Sequence, residues 1–198
     1  MKGKTMNRKF LLAVPFTLLV SPALAHVGAY HADDFCGGAL HPLTGPDHVA
    51  AMVAVGLLAA SNGGRALWLW PLAFASVMLA GGSVGMSHVA VPLVEPAIVA
   101  SLLTLGVLIA LAIDLPVSLG AIIVGAFALF HGYAHVAEIP DGSTGVAYLA
   151  GFALMTTLLQ LIGIGVGMFL QLVQWQSAVR IAGMACVLLG IGLALNMI

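Results

Sequence analysis

Six apolar stretches, near residues 39–60, 66–87, 92–113, 117–137, 145–170 and 178–197, occupy most of this chain. Each is long enough to cross a bilayer as a helix of about 20 residues. Lipid offers no hydrogen bonds, so each segment must satisfy its own backbone, and in an open chain only helices do that. With 62% hydrophobic residues, 7% charged residues and a mean hydropathy of +1.14, the chain is far from a soluble domain, in which about a quarter of residues are charged. The expected architecture is an all-α integral membrane protein with six transmembrane helices. Breakers separate them: Ser61-Asn62-Gly63-Gly64, Val91-Pro92, Asp114-Leu115-Pro116, Ile139-Pro140-Asp141-Gly142 and the polar Gln171–Gln176 segment.

Residues 1–25 stand apart as a cleavable signal peptide. Lys2, Lys4, Arg8 and Lys9 form a basic start, Phe10 to Val20 an apolar core too short for a span, and Ala23-Leu24-Ala25 a cleavage site. Residues 26–198 are then the transmembrane domain, with His26 as the mature N-terminus on the outer side of a bacterial-type inner membrane. Removing the signal leaves only Arg65 and Arg180 against all seven carboxylates. That balance argues against nucleic acid and for cations as partners. With the N-terminus outside, the loops bearing Arg65 and Arg180 fall on the cytoplasmic side, as the positive-inside rule requires. Asp33, Asp34, Glu138 and Asp141 then face outward, where they would concentrate divalent cations.

The two cysteines do not suggest a disulfide framework. Cys186 reads as core packing, whereas Cys36, close to His31, Asp33 and Asp34, could join a loose metal-gathering patch. Glycine is abundant, at 24 residues, and its clusters at 81–85 and 163–167 let helices approach closely in lipid. A short internal match pairs Gly45-Pro46-Asp47-His48-Val49-Ala50-Ala51 with Gly132-Tyr133-Ala134-His135-Val136-Ala137-Glu138. Placed three spans apart, the two copies would belong to two inverted three-helix halves with a site at their interface.

Ionisable side chains at membrane depth are costly, so those present are candidate site residues. His131, His135 and Glu138, at i, i+4 and i+7, share one helix face and make a half-site for a borderline divalent ion such as Ni(II), Co(II) or Zn(II). The segment from His41 to His48 cannot be a regular helix throughout, because Pro42 and Pro46 lack an N–H and Gly45 weakens the turn between them. On a straight helix His41 and His48 would stand roughly 10 Å apart, too far to share one ion. An unwound segment shortens that distance, with Pro46 as first residue of a restarting helix and Asp47 in its first turn. The alternative is a kinked structural helix in which Asp47 and His48 bond to neighbours. His88, at the outer end of the second span, could add a ligand or a gate. The amine and imidazole of His26, with His31, Asp33 and Asp34, could capture an ion outside.

The segment His41-Pro42-x-x-Gly45-x-Asp47-His48-x-x-x-Met52-x-x-Val55-Gly56 resembles the signature of the HupE/UreJ family of nickel permeases. Phe130-His131-Gly132-x-Ala134-His135-x-x-Glu138 is similar to that family's second conserved segment. The His-x4-Asp-His motif of the larger nickel/cobalt transporters is related only in spirit, since five residues separate His41 from Asp47 here. The resemblance implies secondary transport of Ni(II) or Co(II) to hydrogenase or urease maturation. It also implies metal handling by His41, Asp47, His48, His131, His135 and Glu138. No cofactor is expected besides the transported ion. Lipid is the surrounding partner, and homo-oligomerisation is left open. The chain has no G-x-x-x-x-G-K-[ST] loop for nucleotide. The competing class is an intramembrane zinc-dependent hydrolase, with His48, His131 and His135 as ligands and Asp47 or Glu138 as base.

Overall fold

The computed structural model describes residues 35–87, 89–137 and 145–195. The signal peptide, His26, His31, Asp33, Asp34, His88, Glu138 and Asp141 lie outside the described residues. Among those described there are seven α-helices and no strand: α1 (Phe35–Leu40), α2 (Pro46–Asn62), α3 (Ala66–Gly85), α4 (Val94–Ala110), α5 (Val117–Ala137), α6 (Gly145–Leu172) and α7 (Gln176–Ala194), with a 3₁₀ turn over His41–Leu43.

Four of these helices, α3, α5, α6 and α7, are long and apolar enough to cross a membrane. The first expected span is not one rod. Phe35–Leu43 and Pro46–Asn62 meet at a bend of 85°, and only taken together do they reach spanning length and hydropathy. The third is shorter than expected. Pro92 and Leu93, the latter in a left-handed conformation, fix the start of α4, and its end is followed by Ala112 at φ 51. Its 17 residues rise only about 25 Å, short of the roughly 30 Å hydrocarbon core. Large apolar side chains such as Leu72, Ile122, Phe169, Ile181 and Leu188 point outward, which a lipid solvent permits.

Where α2 ends, Gly63 and Gly64 both take positive φ, a geometry that glycine adopts without strain, and the chain reverses into α3. The helices then pack in three close pairs: α3 with α5, α2 with α6 and α4 with α7. Backbones touch in each. A side chain at Gly56 would strike the Gln160 carbonyl, and one at Gly167 would meet Ala60, so α2 and α6 run in the same direction. At Gly120 a side chain would strike Trp70, and at Gly132 the Met78 carbonyl, so α3 and α5 also run parallel. Gly183 lies against Ala110 and Gly190 against Leu103, so α4 and α7 run antiparallel. Trp70 Nε1–H donates to the Val117 carbonyl at 2.8 Å, and the Leu115 N–H donates to Asn62 Oδ1 at 2.8 Å. These bonds tie the starts of α3 and α5 to the end of α2.

The short sequence match between residues 45–51 and 132–138 does not mark equivalent places. The first copy opens α2 and the second closes α5, three spans on, so the two stand at different places along their helices. The matched Gly, Val and Ala are common in any apolar helix. The consequence for the histidines is favourable nonetheless. Because α5 returns opposite to α2, the start of one and the end of the other share one end of the bundle. Arg65 and Arg180 lie at the opposite end, with the connections that follow α2 and α6.

Replacing Gly132 by Ala is expected to cost about 1–3 kcal/mol through overpacking against α3. Gly165→Ala, inside α6 with nothing within 4 Å of the added carbon, should cost nothing and stabilise by up to about 1 kcal/mol through helix propensity. Thermal midpoints of the detergent-solubilised protein check both.

Candidate metal centre

The site grows out of the break before α2. After the 3₁₀ turn, Thr44 donates its N–H and its hydroxyl to the His41 carbonyl at 3.0 and 2.7 Å, and Gly45 is extended at φ −110, ψ 124. Pro46 then restarts the helix with Asp47 in its first turn. The bend turns His41 back over the start of α2, where His48 points into the bundle. From the other side, α5 presents His131 and His135 one turn apart on its buried face, respectively 0% and 3% exposed.

The four imidazoles form one cluster. Ring centroids lie 4.6 Å apart for His41 and His135, 4.2 Å for His48 and His135, and 5.5 Å for His48 and His131, all in edge-on contact. Two imidazoles bonded to one ion through nitrogens about 2 Å from it would place their centroids roughly 5 Å apart. The spacing therefore suits shared coordination. The donor atoms are not yet convergent, however. Among the described residues no group of three or more His, Cys, Asp or Glu side chains is placed to hold a metal ion as it stands. Rotation of the rings would be needed to aim their lone pairs at one point.

Hydrogen bonds already decide which nitrogen could donate. His131 Nδ1 lies 2.9 Å from the Phe127 carbonyl, and His48 Nδ1 lies 3.1 Å from Asp47 Oδ1. A carbonyl and a carboxylate can only accept, so in both rings Nδ1 carries a proton, and in the neutral imidazole the lone pair is then on Nε2. Asp47 thus acts on the ring of His48 in the way that outer carboxylates orient metal-bound histidines. Nε2 of His48, His131 and His135 is buried without a hydrogen-bond partner. Three unpaired ring nitrogens in one small volume are costly, and a cation would engage each one that carries a lone pair.

Aromatic rings wall the cluster. Phe152 of α6 packs against His135 at 4.3 Å, Phe74 of α3 against His131 at 5.7 Å, and Tyr148 against His41 at 5.9 Å. No motif marks these three residues, nor Thr156 and Gln160 further along α6. The available signal was the scarcity of polar side chains within residues 145–170, with Tyr148, Thr156 and Gln160 spaced by eight and four residues on one helix face. The structure brings together His41, Asp47, His48, His131 and His135, whereas Glu138, His26 and His88 fall outside the described residues.

A family model described as "HupE / UreJ protein" matches residues 14–193. Protein HupE of Rhizobium leguminosarum bv. viciae is 43% identical over 175 residues, covering 88% of this chain and 91% of that protein. No solved structure matches.

His135→Leu removes a buried ring whose Nε2 has no partner and substitutes apolar contact. It is expected to stabilise the metal-free protein by about 1 kcal/mol. A higher thermal midpoint in chelator-treated detergent solution checks this.

Proposed function

The chain belongs to the HupE/UreJ family, and from that premise we propose that it is a secondary permease carrying Ni(II), and Co(II) through the same donors, across the bacterial inner membrane. Its cargo would supply hydrogenase or urease maturation. The observation that carries this reading is the meeting of His41, His48, His131 and His135, with three buried Nε2 atoms left unpaired. By the helix register expected of residues 131–138, Glu138 would join them. A free N-terminal His26 after signal cleavage, together with His88, would collect the ion outside.

Counting α1, the turn and α2 as one broken span, and α4 as a short one, gives six crossings. The packing supports two inverted halves, α2–α4 and α5–α7. Exchanging the halves turns the parallel α2–α6 pair into the parallel α5–α3 pair and maps α4–α7 onto itself. The end bearing Arg65 and Arg180 is then cytoplasmic and the histidine end periplasmic.

Imidazole nitrogens with one orienting carboxylate suit an ion that must be released again. They bind borderline divalent metals without the closed thiolate cage that would trap one. Proton uptake by the imidazoles competes with the metal for the same lone pairs, so acidification favours release. The hydrolase reading finds no support here. Its candidate base Asp47 is engaged by His48 Nδ1, and that bond orients a donor.

Radioactive nickel uptake into proteoliposomes tests the proposal. His48→Ala and His131→Ala are each expected to lower uptake per inserted protein by about 10–100-fold, the range for lost metal-site residues. Undiminished uptake in both variants would remove the proposed site.

A further inference from the structure

Polar side chains in apolar helices usually turn back onto their own helix, and several here do so. Ser61 donates to the Leu57 carbonyl at 2.9 Å, Ser101 to Ile98 at 2.6 Å and Thr157 to Ala153 at 2.7 Å. Two residues of α6 behave differently. Thr156 and Gln160 are both 0% exposed, yet Thr156 Oγ1, Gln160 Oε1 and Gln160 Nε2 have no hydrogen-bond partner. Thr156 adjoins Thr157, so the same bond, to the Phe152 carbonyl four residues back, was open to it. Three unpaired polar atoms in adjacent turns of an apolar helix are kept at a cost to folding.

Their position indicates what that cost serves. Thr156 and Gln160 extend the stripe of Tyr148 and Phe152, whose rings pack on His41 and His135. Thr156 lies about 6 Å and Gln160 about 12 Å beyond Phe152 along the helix. Further along α6, Gln171 lines a cavity of about 810 Å³ at the opposite end of the bundle, together with Ser61, Asp114 and Arg180. The unpaired residues therefore stand between the imidazole cluster and a polar cavity at the far end. Past Gln160 the route is closed, because Gly56 abuts Gly163 and Ala60 abuts Gly167 across the α2–α6 seam.

We propose that Thr156 and Gln160 form a second, neutral station on the ion path, where a hydrated divalent cation leaving the histidines is met through its water shell. This rests on the permease reading. Hydroxyl and amide groups accept hydrogen bonds from metal-bound water but bind a borderline metal far more weakly than imidazole, so they smooth passage without holding the ion. Access from this station to the far cavity requires α2 and α6 to part.

Thr156→Val and Gln160→Leu each remove an unpartnered group at nearly constant volume, so folding is not at risk. Radioactive nickel uptake per inserted protein is expected to fall about tenfold in each, the scale of one lost hydrogen bond. Equilibrium Ni(II) binding by the detergent-solubilised full chain should change less than about twofold, because capture belongs to the histidines. Undiminished uptake overturns the proposal, and so does a loss of binding as large as the loss of uptake. A second arm does not depend on transport. In a Cys36→Ala, Cys186→Ala background, Thr156→Cys and Gln160→Cys are treated in proteoliposomes with a small water-soluble thiol reagent. Labelling slowed by Ni(II) is expected; no labelling, or labelling that Ni(II) does not slow, overturns the station. Should the unsubstituted protein show no uptake, the permease reading falls, and Ni(II)-slowed labelling still upholds a cation station at these residues.

Discussion

A straight helix through residues 35–62 would keep His41 and His48 about 10 Å apart. The turn at Thr44-Gly45 and the 85° bend that follows bring both rings into contact with His135 instead. Pro46 makes the break inexpensive: its missing N–H is one that a helix start leaves unbonded anyway. Thr44 caps the His41 carbonyl from two atoms. The carbonyl exposed by the break is thus satisfied locally, in keeping with what irregular backbone at membrane depth requires.

The other half of the cluster depends on a close approach elsewhere. α5 is held against α3 by contacts that admit no side chain at Gly120 or Gly132, and Gly132 sits beside His131. A bulkier residue there would push α5 away from α3, and His131 and His135 with it. In lipid there is little hydrophobic drive between helices, so contacts of this kind and their dispersion energy set the geometry. The parallel α2–α6 pair plays the corresponding role for α2 through Gly56 and Gly163.

Stability and chemistry pull in opposite directions at this end of the molecule. Nε2 of His48, His131 and His135, and the side-chain atoms of Thr156 and Gln160, are buried without partners while most other polar groups in the helices are bonded. Conflicts between local satisfaction and global fold concentrate where function requires them. The two Nδ1 bonds, to Phe127 and to Asp47, show how the cost is contained: each satisfies one nitrogen and leaves only the other unpaired.

The helical class, the helix locations and the break before Pro46 were legible in the sequence, because prolines, glycines and long apolar runs act through local backbone chemistry. The shared face of His131 and His135 was legible too, being a matter of 3.6 residues per turn. The shortness of α4 was not, since it depends on left-handed turns at Leu93 and Ala112 that residue type does not announce. Nor was the inward face of α6. When the solvent is lipid, the outside of a helix is as apolar as its packed side, so hydropathy cannot say that Phe152, Thr156 and Gln160 face the bundle while Leu158 and Ile162 face out. The match between residues 45–51 and 132–138 does not pair equivalent positions for a related reason: local composition says nothing about where in a helix a residue stands. By itself the sequence determined which ionisable side chains lie within apolar segments and where the backbone must break. Only the tertiary structure decided that His41 and His48 meet His131 and His135, because that meeting depends on helices packed at glycines far apart in the chain.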